Sequence, residues 1–119
     1  MENEEVFQTL YQIYYPRGVD LSAFFCAENP GISHLGLKKI VALKFVASCK
    51  SHWLTILGID VICGYYDKHP SFYVPCWYLM NIEGEKMYDR FIRSINEAID
   101  YINGFSNDSF LFCITVAQE

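Results

Sequence analysis

The sequence predicts an α+β fold, with a small antiparallel sheet of about three strands packed by N-terminal helices and one long amphipathic helix. Apolar residues recur at i, i+3 and i+4 between Glu85 and Asn103, the spacing of a helix with one buried face. Runs rich in β-branched and aromatic residues fill 53–65, 72–82 and 110–116. Helical spacing also governs the first turns, where Val6, Phe7, Leu10, Tyr11, Ile13 and Tyr14 share a side.

Taken in order, Asn3 can cap the first helix, and Glu4 and Glu5 suit its positive end. Pro16 and Gly18 end it. Asp20 is placed to cap a shorter second helix through Leu21, Phe24 and Phe25, closed by an Asn29-Pro30-Gly31 turn. After Ser33, a further candidate cap, residues 37–49 read as a helix. A strand is the alternative, because Val41, Leu43, Phe45 and Ala47 would then share one face with Lys44 on the other.

Residues 53–65 and 72–82 form a hairpin around Tyr66-Asp67-Lys68-His69-Pro70-Ser71. Pro75 has no N–H to give a ladder, so the second strand is expected to lie at an edge, bulge or stop. In helix 85–103, Tyr88, Phe91, Ile92, Ile95, Ile99 and Ile102 make the apolar stripe, and Asp89, Arg93, Asn96, Glu97 and Asp100 the wet one. Gly104 stops it. The last strand, 110–116, is apolar on both faces and is expected near the sheet centre.

No repeat, low-complexity tract or linker divides the 119 residues, so residues 1–119 are expected to form a single domain with one core. Hydrophobic residues make up 52% of the chain, enough to offset chain entropy and exclude intrinsic disorder. Nine Phe, nine Tyr and two Trp exceed what such a core needs. Some tyrosines should therefore sit at a surface that meets something.

The net charge of −5 is unevenly spread. Residues 1–37 carry five acids and Arg17 (−4), residues 38–50 four lysines (+4), and residues 51–119 nine acids and four bases (−5). An acidic surface repels phosphates, which argues against nucleic acid and for a basic partner. The lysine segment also serves to neutralise the chain's own acids.

Lys44, Lys50, His52 and Asp60 interrupt the apolar stretch 40–66, so no uncharged run reaches the roughly 20 residues of a membrane span. The acidic start, Met-Glu-Asn-Glu-Glu, lacks the basic region and apolar core of a secretory signal. Cys26, Cys49, Cys63, Cys76 and Cys113 are odd in number and widely spaced. That pattern fits free thiols in a reducing compartment, and a cytoplasmic location is expected.

Motifs that carry chemistry are sparse. Cys49-x-x-His52 has ligand spacing, but zinc requires a second pair, and none stands at a matching distance. Cys76 has His69 in the preceding turn, yet a nucleophilic thiolate needs a positioned base, which spacing alone does not supply. Glycine-rich phosphate loops, G-x-S-x-G and H-E-x-x-H are missing. The acidic pairs Glu83/Glu85 and Glu97/Asp100 read as solvated charge. No catalytic residue, metal or cofactor is expected.

The most suggestive feature is the hairpin tip, Tyr65-Tyr66-Asp67-Lys68-His69-Pro70-Ser71-Phe72-Tyr73, followed by Trp77 and Tyr78. Rings beside an acid bury area and order a partner's cation, although rings at a turn also serve simply to cover a core.

Size, acidity, free thiols and the lack of catalytic motifs together resemble the small acidic immunity proteins of bacterial toxin–immunity pairs. The resemblance implies a non-catalytic inhibitor that binds a cognate toxin, often a basic nuclease, and blocks its active site or holds it inactive. On that reading Asp60, Tyr65, Tyr66, Asp67, Tyr73, Trp77, Glu83 and Glu85 form the partner-binding surface. Two other readings use the same residues: an enzymatic or small-molecule-binding domain with an aromatic-lined pocket, and a self-associating adaptor subunit.

Overall fold

A computed structural model describes residues 3–27, 31–66, 68–72, 76–106 and 109–119, with backbone alone for Asn3 and Glu4. The capping expected of those two side chains, the Asn29-Pro30 turn, Pro75, Asp67 and Tyr73 therefore lie outside the described residues. Helix α1, Asn3–Tyr14, buries Val6, Leu10 and Tyr14 on one side. It passes into a 3-10 turn, Tyr15–Arg17, that contains Pro16. Tyr14 ties α1 to the next helix twice, through a 2.6 Å hydrogen bond with Ser48 and an edge-on contact with Phe45.

The short strands β1, Val19–Asp20, and β2, Leu35–Gly36, pair antiparallel. Between them the second helix expected from Asp20 is reduced to a single turn. Asp20 does accept a hydrogen bond from the Ser22 N–H, but Ala27 N–H already returns to Ser22 O and Cys26 N–H to Ala23 O. Cys26, at φ +57°, occupies the left-handed position that closes such a turn. Ser33 lies in a 3-10 turn, Ile32–His34, and does not cap the following helix.

That helix, α2, spans Lys39–Ser51 and settles the choice between helix and strand. Ala42, Phe45, Val46 and Cys49 are buried at i, i+3, i+4 and i+7, while Lys44 and Lys50 face water. Its C-terminus is closed by Trp53 N–H to Lys50 O and Leu54 N–H to Cys49 O, with Trp53 at φ +58°. Glycine is the usual residue there, and a bulky side chain in that conformation costs about 1 kcal/mol or more.

Strand β3, Thr55–Cys63, is the axis of the main sheet. It pairs along its length with β6, Leu111–Ala117, and on its other edge with two short strands, β4, Ser71–Phe72, and β5, Trp77–Tyr78. The expected hairpin is thus present with its second strand in two pieces. The expected central place of β6 is taken by β3, although Leu37 bridges the outer edge of β6 at Phe112.

A bulge between Ile56 and Gly58 keeps Ile56 and Ile59 on the same face although they are three residues apart. Helix α3, Met87–Asn103, packs on that face with Phe91, Ser94, Ile95, Ala98 and Ile102. The Ser94 hydroxyl accepts the Ile56 N–H at 3.0 Å and donates to Phe91 O at 2.7 Å, so the bulged strand and the helix share one buried polar group. Among the described residues the buried apolar side chains form two clusters, one on each side of the main sheet. The larger lies under α1, α2 and α3; the smaller, Leu21, Ile62, Leu111 and Cys113 with Phe24, Phe25 and Tyr65, covers half of the other sheet face. Among the described residues no helix is long and apolar enough to cross a membrane.

Candidate protein-binding surface

The uncovered half of the second face is built around Asp60. Cross-strand pairing sets Cys113 beside it on β6, and the register of β5 sets Cys76 beside it on the other flank. Gly58, two residues earlier on the same face, lies under the Tyr78 ring: a Cβ there would come within 2.6 Å of it. With the ring laid across the strand, the Tyr78 hydroxyl donates to Asp60 Oδ1 at 2.7 Å. That bond, with some burial, pushes the phenol up to about 12, so Tyr78 stays a donor. Tyr78 is 61% exposed, which makes this acid–phenol pair available to a partner.

The thiols beside Asp60 are both held toward the protonated form. Burial pushes Cys113 up to about 12, with the Asp60 carboxylate adding to it. Burial also raises Cys76, and Asp60 raises it further. Cys49, opposite in the core, is raised by burial alone. None of the five cysteines is in a disulfide. His52 uses Nδ1 on Ser48 O at 2.8 Å, which accounts for its place beside Cys49. Among the described residues no group of three His, Cys, Asp or Glu stands close enough to hold a metal.

The described residues expected at the partner surface are spread over four places: Asp60 on this sheet face, Tyr65 and Tyr66 in a turn, Trp77 on the helix side, and Glu83 and Glu85 before α3. Tyr65 and Tyr66 follow the end of β3, their rings 5.4 Å apart and edge to face. Tyr65 leans on the smaller cluster, while Tyr66 is exposed with Lys38 Nζ 5.1 Å from its ring. The Gly64 that precedes them has φ +73°, and a Cβ would strike the His69 carbonyl at 2.4 Å, so this tight turn requires glycine. Trp77 points to the helix side, half-buried on the larger core near Tyr101.

Glu83 is exposed, but Glu85 is engaged. Both its oxygens accept from Arg93 at 2.8 Å, and that guanidinium also binds Glu97 and the Met80 carbonyl. Hydrogen bonding from Arg93 holds the Glu85 carboxyl below its ordinary range. The work of Glu85 is to fasten the loop before α3.

A second exposed aromatic group, with no pattern in the sequence to mark it, lies where α2 ends beside α3. Trp53 stacks on Phe91 at 5.4 Å with planes 28° apart, and Tyr88 stands 6.1 Å from Trp53. With Thr55, Met87 and Glu119 these rings line an open groove of about 200 Å³. Trp53 and Tyr88 are 63% and 59% exposed although both belong to aromatic pairs. In the sequence Tyr88 belongs to the apolar stripe of 85–103, and Trp53 stands at the start of the expected strand 53–65.

A family model described as Immunity protein 40 matches residues 27–116, which covers α2, α3 and the main sheet up to Val116 of β6. No curated protein and no solved structure matches the chain.

Proposed function

The chain belongs to the immunity protein 40 family, and from that premise we propose that it neutralises a cognate toxin by binding it, without bond chemistry of its own. The family match over most of the chain is the observation that carries this reading. The raised thiols support it, since a cysteine enzyme needs its sulfur deprotonated and here burial and Asp60 oppose that.

The partner surface we assign is the uncovered sheet half with the hairpin end. Asp60, held in one orientation by Tyr78, offers an ordered carboxylate; Tyr66 and Glu83 offer exposed ring and charge, with Asp67 and Tyr73 in the same hairpin by sequence. Tyr65, Trp77 and Glu85 act beneath them, fixing the turn, the short strand and the loop. With a net charge of −5, the fitting partner is a basic toxin domain, and charge complementarity speeds its approach.

The test is to express the product of the adjacent gene with and without this chain. A stable complex and protection from toxicity are expected. Asp60→Asn should weaken the complex roughly tenfold or more, while Asn96→Ala, on the wet side of α3, leaves it unchanged. Raising salt should slow association more than it speeds dissociation. A neighbour that is neither bound nor restrained would overturn the reading.

A further inference from the structure

A Trp at the helix-closing position is unusual for two reasons: glycine suits the backbone there, and the indole it carries stays exposed. At φ +58° Trp53 directs its ring outward from the end of α2 and over Phe91. Tyr88, one helical turn before the buried end of the α3 stripe, faces the same gap, so two exposed rings and one buried one surround it. Backbone held in such a conformation beside an exposed aromatic group is a pointer to function.

The chemistry of the lining says what enters. Of its six residues, Glu119 alone is charged. Arg90 holds that carboxylate through Oε1 at 2.9 Å and uses a second nitrogen on Asn81, so Glu119 is fixed beside the rings by a cation that lies outside the groove lining. Ring faces are electron-rich and attract cations, and the Met87 side chain offers a flexible apolar wall for a hydrocarbon stem. A basic partner is what this combination complements.

We propose that the Trp53–Tyr88–Glu119 groove receives one lysine or arginine side chain of the cognate toxin, its stem along Met87 and the rings and its head toward Glu119. The proposal rests on the neutralisation reading and adds to it a second contact, separate in the fold from Asp60 and Tyr78.

The experiment titrates the purified toxin domain encoded beside the gene with the wild-type chain, Trp53→Gly and Tyr88→Ala, using Ile13→Ala on exposed α1 surface as control. Trp53→Gly removes the ring and suits the backbone, so its thermal midpoint reports folding separately from binding. Both groove variants should bind at least tenfold more weakly, mostly through faster dissociation, with the control unchanged. Replacing toxin lysines and arginines one at a time by Met should reveal one position whose loss adds nothing to Trp53→Gly, the mark of a shared contact.

Groove variants that bind as tightly as wild type would overturn the groove while leaving neutralisation intact. Coupling of Trp53 to an apolar toxin residue and to no cation would overturn the chemistry assigned to it. A wild-type chain that does not bind the toxin would overturn the neutralisation reading and this contact together.

Discussion

Along the helix-covered face of the main sheet, Ile56, Ile59 and Val61 of β3 and Phe112 and Ile114 of β6 present only hydrocarbon; the opposite face changes character halfway along. There Ile62, Leu111 and Cys113 lie under Leu21, Phe24 and Phe25, and then the cover stops at Asp60, Gly58 and Thr115. One step along this face of β3, from Ile62 to Asp60, separates an apolar core from an ordered carboxylate. The contrast teaches that the alternation of this strand gives it two unlike sides, one carrying stability and the other carrying, along half its length, the surface proposed for recognition.

The comparison breaks hardest on the covered side. Phe112→Ala empties a fully buried ring site among Leu37, Phe105 and β3, and should cost about 3–5 kcal/mol, read as a lower urea midpoint with an unchanged slope. Asp60→Asn, one strand over and on the other face, keeps an oxygen for Tyr78 and should move stability by about 0.5 kcal/mol or less. If the two variants unfold alike, the division of labour is wrong.

Ser94→Ala comes next. It leaves the buried Ile56 N–H without its acceptor, because the bulge has displaced that part of the strand from regular pairing. A loss of about 1–3 kcal/mol is expected by the same denaturation measurement, with binding of the toxin retained once the protein is folded. Trp53→Gly should be smaller still, within about 1 kcal/mol of wild type. Relief of the left-handed backbone offsets the lost stacking on Phe91, so its thermal midpoint should barely move.

Periodicity made α3 and its buried side legible in the sequence, since a stripe at i, i+3, i+4 has one physical reading over five turns. The same holds for β3 and β6, whose apolar runs are too dense for a surface. Short elements were harder. The turn at 21–27 has the cap and rings of a helix, but Cys26 takes the left-handed conformation that sequence preferences assign to glycine, and the helix ends after one turn. Lys38 precedes α2 with no side-chain cap, so Ser33, the residue with capping chemistry, marked the wrong place. The candidate site depended on register, which a linear reading does not supply. In the sequence Asp60 stands out only by its charge, whereas its partnership with Tyr78 arises because Gly58 lets a ring lie across the strand two positions away. Trp53 gave no signal at all, because its importance lies in a backbone angle.

The smallest effect is also the most direct test of the uncovered half. With Asp60 as acceptor the Tyr78 phenol ionises at about 12, against an ordinary value near 10. A folded-state value above the unfolded one means the folded protein holds this proton more tightly. The stability contributed by the bond is therefore fully present below pH 10 and fades as pH rises from 10 toward 12. Tyrosinate absorbance, taken as the difference between wild type and Tyr78→Phe, should show that late ionisation. In Asp60→Asn the carboxylate's charge is gone, and the same difference curve should move back toward 10. A curve that already lies near 10 in the wild type would mean that the phenol does not hold the carboxylate, and Asp60 would then present a freely rotating charge in place of a fixed one.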